Sequence, residues 1–237
     1  MRNTMTIAGK ELRSFFVSPV GYVALAFWLF GVGLFFALSV LQGQQASLQD
    51  WFGTVEVLLL FIGPALTMRL LAEEQRTGTM EVLMTSPVRD WEVVVGKFLG
   101  AAGFFAAMVA ATFVYPIILR LVGNPDMGPV YAGYLGLFLM GCTFLAIGVF
   151  TSSLSGNQVI AYIVAFVVLL GLWVISALQP VLPQQFGAGL SALSVTAHFD
   201  DFSRGVVDLT NILFYLSVVA AALFATIQIL EARRARQ

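Results

Sequence analysis

The sequence predicts an all-α integral membrane protein with six transmembrane helices. Only 11% of its 237 residues are charged, whereas soluble domains carry about 25%, and the mean hydropathy is +0.91. Six apolar runs approach or exceed the ~20 residues that a helix needs to cross a bilayer. They do not alternate between polar and apolar residues as barrel strands do, so helices follow. The predicted spans are 21–41, 54–72, 93–119, 132–150, 157–178 and 209–230.

The positions of lysine and arginine predict the orientation of the chain. With the amino terminus inside, Arg120 and Arg204 face outward and every other Lys and Arg faces the cytoplasm. The positive-inside rule therefore places both termini in the cytoplasm. We expect no cleavable signal peptide, because the first apolar run starts late and is long enough to span. We expect the lipid bilayer as a partner, and no basic stretch indicates nucleic acid.

Residues 1–19 predict an interfacial elbow helix before the first span. The apolar face of this helix comprises Ala8, Leu12, Phe15 and Phe16, and the opposite face carries Lys10, Arg13 and Ser14. Such a division is expected of a helix that lies in the membrane interface. Pro19 then ends the helix, because proline disfavours helix in the residue before it. The alternative is an ordinary basic juxtamembrane segment.

A charged stretch at residues 73–92 separates the second and third spans. Gly78 and Thr79 can start a short helix with Thr79 as N-cap and Glu81 in its first turn, where the helix dipole favours negative charge. The apolar side chains of that helix share one face: Met80, Leu83 and Met84. Such a face suits a groove on a soluble partner, and Pro87 closes the helix. The alternative is a solvated loop whose charges only anchor the topology.

This stretch resembles the first cytoplasmic loop of ABC-2 type permeases, the membrane halves of a class of ABC exporters. The matching positions are Glu73, Glu74, Arg76, Gly78, Thr79, Glu81, Leu83, Pro87, Gly96 and Lys97. Residues 193–208 are most similar to the permeases of gliding motility and nitrous-oxide-reductase maturation. The resemblance implies one transmembrane domain over residues 1–237 in a bacterial inner membrane. The ATPase-coupling residues that it implies are Glu73, Glu74, Arg76, Gly78, Thr79, Met80, Glu81, Leu83, Met84 and Pro87.

The resemblance further implies two copies of an ABC ATPase subunit and a second permease chain, identical or related. The resemblance also allows an auxiliary periplasmic or membrane subunit. In this chain Gly96-Lys97 does not form a phosphate-binding loop, because Trp91 stands where that motif needs glycine and Phe98 where it needs serine or threonine. We therefore expect no catalytic residue, metal or cofactor in this chain. ATP and Mg²⁺ belong to the partner ATPase.

The segment 179–208 predicts an outer re-entrant structure. Pro180 and Pro183 break the fifth span, and the following residues stay half apolar, which favours one or two short helices that dip into the outer leaflet. The polar rim expected at the outer surface comprises His198, Asp200, Asp201 and Arg204. Near the outer end of the second span, Glu56 is expected either at the lipid interface or in a water-filled cavity.

Three further features lie within the spans. A stripe of small residues on the third span predicts close approach of a neighbouring helix. The stripe comprises Gly96, Gly100, Gly103, Ala107 and Ala111. Pro64 and Pro116 are expected to kink two spans. Arg69 is expected to reach lipid phosphates or to pair with Glu73.

Taken together, these features predict a permease subunit that couples ATP hydrolysis by its partner to substrate export or conformational work. A non-transporting scaffold or force-transmitting subunit is the alternative. An intramembrane protease is disfavoured, because Gly78 stands where that class has arginine and the single histidine, His198, is predicted on the opposite side of the membrane. An ion channel would need a repeated polar filter segment, which the sequence lacks. No polar constellation in the spans identifies a substrate.

Overall fold

The structure, a computed structural model, describes residues 2–41, 48–79, 88–123, 125–178 and 194–235. Its described helices are α1 (Arg2–Val17), α2 (Pro19–Leu41), α3 (Gln49–Thr67), α4 (Ala72–Thr77), α5 (Asp90–Ala111), α6 (Val114–Val122), α7 (Met127–Leu154), α8 (Gln158–Leu178), α9 (Val195–Ser203) and α10 (Leu209–Arg234). Two segments that carry predictions, residues 80–87 and 179–193, lie outside the described residues.

Six helical stretches within the described residues are long and apolar enough to cross a membrane, which confirms the predicted fold class. They are Pro19–Leu41, Gln49–Thr77, Asp90–Leu121, Met127–Leu154, Gln158–Ile175 and Leu209–Arg234. Several are longer than the predicted spans, because the helices continue into the charged residues that flank the apolar runs. The third stretch, for example, begins at Asp90 and not at Val93.

The fourth span, α7, forms the centre of the described bundle, and more of it is buried than of any other span described. Four of its glycines leave room for side chains of α3, α5 and α9, since a Cβ at each of the four would collide with the neighbour. The pairs are Gly133 with Phe52, Gly136 with Phe202, Gly141 with Phe105, and Gly148 with Thr67. Small residues thus let three elements approach α7 closely, as expected where helices pack in membranes.

The third span is interrupted at Thr112 and Phe113, between α5 and α6. Pro116 has no N–H, so it cannot bond the carbonyl four residues earlier, which belongs to Thr112. That carbonyl instead accepts from the Tyr115 backbone N–H over 3.0 Å and from the Tyr134 hydroxyl of α7 over 2.9 Å. The interruption expected near Pro116 is therefore present, and a side chain of the central helix helps to satisfy the backbone group at the break. Pro64 lies inside α3, which continues through it.

Helix α1 runs parallel to the first half of α5. Four contacting pairs keep one sequence separation of 89: Asn3 with Glu92, Ile7 with Gly96, Glu11 with Gly100, and Phe15 with Phe104. The neighbour that approaches the predicted glycine stripe is therefore α1. Phe15 is buried and its ring stacks on that of Phe104 at 4.9 Å, as the predicted apolar face requires. Phe16 is 41% exposed, since it lies at the edge of this contact.

We predict that Gly100→Ala destabilises the protein whereas Gly9→Ala does not. A Cβ at Gly100 would lie 2.5 Å from Glu11 Cβ and 3.0 Å from the Ala8 carbonyl oxygen, while a Cβ at Gly9 meets nothing within 4 Å. Both changes bring the same gain in helix propensity, so the difference isolates overpacking, which costs about 1–3 kcal/mol. Thermal unfolding in detergent would measure it. Equal melting temperatures for the two variants would show that α1 is not docked on the glycine stripe.

Candidate functional site

One end of the molecule gathers the charged ends of several helices. Arg234 of α10 pairs with Asp90 at the start of α5, with 3.1 Å between Nη1 and Oδ1. Arg233 donates to the Leu154 carbonyl at the end of α7 over 3.4 Å. Residues that the positive-inside rule assigned to one side of the membrane are thus close together in space. The charged loop predicted at 73–92 leaves the bundle from this end.

The first part of that loop forms the short helix α4. Glu73 and Arg76 of α4 are exposed, while Glu74 is half-buried. Gly78 ends the helix in the left-handed region at φ 73°, a conformation that favours glycine. Thr79 Oγ1 donates back to the Glu74 carbonyl over 3.4 Å. The rest of the predicted coupling surface, Met80, Glu81, Leu83, Met84 and Pro87, lies outside the described residues and stays a prediction.

Ser152 of α7 holds the start of α4. Between α3 and α4 the regular helix is interrupted, and the amides of Leu71 and Ala72 donate to Ser152 Oγ over 3.1 and 3.0 Å. The same hydroxyl donates to the Met68 carbonyl over 3.0 Å. One buried side chain thus satisfies both donors and an acceptor at the bend, which would otherwise be costly to bury. Gln75 adds a second link, because its Nε2 donates to the Ser153 carbonyl over 2.9 Å.

Lys97 of α5 joins α1 and α4. Its Nζ lies 2.8 Å from Glu11 Oε1 and 2.7 Å from Glu74 Oε1. Lys97 is 3% exposed, so two carboxylates replace the water that a lysine normally holds. Removal of Lys97 would leave two neighbouring carboxylates without their counter-ion, which costs far more than loss of a surface pair, about 3–5 kcal/mol against about 0–1 kcal/mol. The ion pair between Lys97 and Glu74 therefore links α4 to α5.

Arg69 contacts the turn between α1 and α2, and the described residues show no ion pair between Arg69 and Glu73. Its Nη1 donates to Ser18 Oγ over 2.9 Å, and its guanidinium lies over the ring of Phe15 at 5.2 Å. The expected pairing with Glu73 is therefore not formed, and contact with lipid phosphates stays a prediction. Arg69 thereby attaches the end of α1 to the end of α3.

At the opposite end of the molecule, Glu56 of α3 is in contact with α9. Glu56 is 4% exposed, and its Oε1 accepts a hydrogen bond from Thr196 Oγ1 over 2.9 Å. It lies inside the protein and not at the lipid interface. Phe202 of α9 packs on Gly136 of α7, so α9 is attached to two spans.

The predicted rim residues all lie on α9 or directly after it, and they divide into two pairs. Asp200 and Arg204 are exposed. His198 is half-buried and stacks on Phe214 of α10 at 3.9 Å between ring centroids, and Asp201 accepts from Asn211 Nδ2 over 2.9 Å. Two of the four residues therefore hold α9 against α10.

Asp208, which follows α9, is the N-cap of α10. The backbone N–H of Thr210 donates to its carboxylate over 2.8 Å, and this hydrogen bond lowers the pKa of Asp208.

Two residues of the candidate site carry no local sequence signal. Glu11 reads as one polar position among several on α1, and Ser152 reads as one small residue at the end of a span. Their partners lie 86 and 81 positions away, respectively, so only the packing of distant helices reveals their roles. Lys97 was noted in the sequence for its match to the ABC-2 loop, but its partners were not predicted.

The fold and this junction define a multi-pass helical membrane protein with a charged assembly of helix ends on one side. The sequence profile described as ABC-2 family transporter protein matches residues 42–227. The chain therefore belongs to the ABC-2 transporter family, which confirms the resemblance found in the sequence.

Two relatives carry permease names. The chain is 30% identical over 97 residues to the probable multidrug ABC transporter permease YbhR of Escherichia coli (strain K12). This match covers 41% of this chain and 26% of YbhR. The chain is 27% identical over 166 residues to the probable ABC transporter permease protein NosY of Pseudomonas aeruginosa. This second match covers 65% of this chain and 60% of NosY. The chain thus spans less than two thirds of either relative.

We predict that Ser152→Ala loosens α4 without unfolding the bundle. The change leaves the Leu71 and Ala72 amides without their acceptor, which costs about 1–3 kcal/mol locally, so these amides should exchange hydrogen faster in mass spectrometry. Ser153→Ala is the matched control. Its hydroxyl bonds the Phe150 carbonyl within α7, and its backbone carbonyl still accepts from Gln75. Unchanged exchange at residues 71–75 in Ser152→Ala would contradict the role of the hydroxyl.

Proposed function

We propose that this chain is the permease subunit of an ABC complex in which a separate ATPase subunit hydrolyses ATP. Movement of the ATPase displaces α4 through the loop at 73–92, and the spans convert this displacement into substrate export or conformational work. The observation that carries the proposal is the attachment of α4 by side chains to both α7 and α5. A loop that only anchors topology needs no such attachment.

The exposed charges of α4 support an interaction with another protein. Glu73 and Arg76 are exposed on the same short helix whose Glu74 is bound inside. The inner face of α4 is thus committed to this chain, and its outer face is available to a partner. A rigid contact is what a lever between two subunits needs, since the step transmits displacement and involves no chemistry in this chain.

The assembly that we propose contains two ATPase subunits and a second permease chain, identical or related, in a bacterial inner membrane with both termini cytoplasmic. The family and the permease names of YbhR and NosY support this assembly. Apolar side chains on α2 and α8 are exposed, including Phe30, Val159 and Val167, and they suit lipid or a second permease chain. ATP and Mg²⁺ bind on the ATPase.

We predict that Glu81→Lys uncouples the ATPase. The sequence places Glu81 in the first turn of the coupling helix, where reversing its charge removes a favourable interaction with the helix dipole of about 0.3–1 kcal/mol and alters the surface that a partner meets. The variant is co-expressed with its ATPase, and the complex is reconstituted in liposomes. The variant should insert normally, but it should no longer stimulate ATP hydrolysis.

Glu231→Lys on α10 is the control, because Glu231 is exposed at the same end of the molecule. Normal stimulation in Glu81→Lys would contradict the coupling assignment. A purified complex that holds no ATPase would contradict the assembly as a whole. ATP-dependent movement of a solute across the membrane of the same liposomes would indicate export, and ATP hydrolysis without such movement would indicate conformational work.

We predict opposite labelling of the two ends of the molecule in intact cells. In a Cys142→Ala background, Asp200→Cys should react with a membrane-impermeant thiol reagent applied outside, and Arg76→Cys should react only after permeabilisation. Both positions are exposed, so accessibility of the side chain does not differ between them. Labelling of position 76 from outside would reverse the proposed topology.

A further inference from the structure

Lys97 lies where three helices meet, and we propose that it is the positioning residue through which α4 moves α5. This inference rests on the proposed function, because it assigns the path by which displacement of the coupling loop reaches the spans. The ammonium lies 2.8 Å from Glu11 Oε1 and 2.7 Å from Glu74 Oε1. Because Lys97 is 3% exposed, these carboxylates and not water solvate its charge.

The two carboxylates have different roles. Glu11 belongs to α1, which is already fixed on α5 by the stacking of Phe15 on Phe104 and by the close approach at Gly100. The contact with Glu11 therefore holds the ammonium in place between two helices that do not separate. Glu74 belongs to α4, a helix of six residues in which Ala72 is the buried residue. The attachment of α4 to Lys97 thus depends on charge, whereas the attachment of α1 to α5 depends on packing.

The carboxylate of Glu74 is only partly satisfied. Its Oε1 binds Lys97, while its Oε2 is buried and has no hydrogen-bond partner within the described part of the chain. A buried oxygen without a donor is costly, so the lysine contact is what keeps this side chain inside. Without Lys97, Glu74 would be released toward water. The contact between α4 and α5 can therefore change while the helices on either side stay packed.

On its other side α4 is attached to α7 through Ser152 and through Gln75. Displacement of α4 therefore acts on α7 by hydrogen bonds and on α5 by the Lys97 contact. Loss of the Glu74 charge should leave α4 attached to α7 and remove its effect on α5. Glu74→Gln keeps the size of the side chain, so it tests the charge and not the volume.

The experiment uses the complete complex with its ATPase in lipid nanodiscs. Spin labels on cysteines at Leu121 and Val206, which are 83% and 54% exposed, report the distance between the far end of α6 and the start of the last span, in a Cys142→Ala background. Distances are measured without nucleotide and with ADP and vanadate. The variants are Glu74→Gln, Glu11→Gln, Lys97→Met, Lys97→Arg and the triple neutral variant with Met at 97 and Gln at 11 and 74.

The unmodified complex should change its distance distribution when nucleotide is trapped. Glu74→Gln, Lys97→Met and the triple variant should still bind the ATPase and hydrolyse ATP, but their distances should stay at the nucleotide-free value. Lys97→Arg and Glu11→Gln should retain the change. The triple variant carries no unpaired charge at positions 11, 74 and 97, so it tests the inference even if Lys97→Met fails to fold.

Arg234→Gln is the matched control, because it removes an ion pair to Asp90, the first residue of α5, in which the arginine side chain is 40% exposed. It should respond as the unmodified complex does. A normal response in Glu74→Gln or in the triple variant would overturn the role of Lys97 and leave the proposed function intact. An unmodified complex that binds no ATPase, or that shows no change with nucleotide, would overturn both.

Discussion

The need to satisfy every backbone group inside a membrane protein places most constraints on this structure. Two of the described membrane-spanning stretches are interrupted, one after α3 and one after α5, and each interruption alters the backbone hydrogen bonding. In both cases a hydroxyl of α7 bonds the backbone at the break: Ser152 at the first and Tyr134 at the second. The central helix is thus both the packing core and the source of the hydrogen bonds that make the bends possible.

This arrangement ties the bend before α4 to the far side of the molecule. Ser152 lies near one end of α7, while Gly136 receives Phe202 of α9 near the other. Glu56 and Thr196 connect α9 to α3, whose own end leads into the bend. The helices that hold α4 therefore also hold α9. Close-packed protein interiors switch between discrete arrangements and do not deform continuously.

Sequence reasoning recovered what depends on length, periodicity and charge distribution. The six spans follow from apolar runs, the break before α2 follows from Pro19, and the approach of a helix to the stripe at Gly96 and Gly100 follows from small residues. The helices extend past the predicted spans, because hydropathy finds the apolar part of a helix and not its ends.

What sequence reasoning could not supply is the set of partners. Lys97 and Glu11 are 86 positions apart, and no local pattern links them. Arg69 was expected to pair with Glu73 or to reach lipid, and Ser18, which lies between the first two helices, is a partner that no sequence pattern indicated. Such contacts depend on which helices become neighbours, and that is decided by packing over the whole bundle.

The length of the third span explains how the chain tolerates the buried lysine Lys97 between two carboxylates. The stretch Asp90–Leu121 has 32 residues, so at about 1.5 Å per residue it measures roughly 48 Å along its helices, whereas the hydrocarbon core of a bilayer is about 30 Å thick. Part of this stretch must therefore stand outside the hydrocarbon. Lys97 lies two turns from its start, at the level where α1 covers α5. Glu11 and Glu74 contact the lysine at this level, so protein and not lipid surrounds the paired charges.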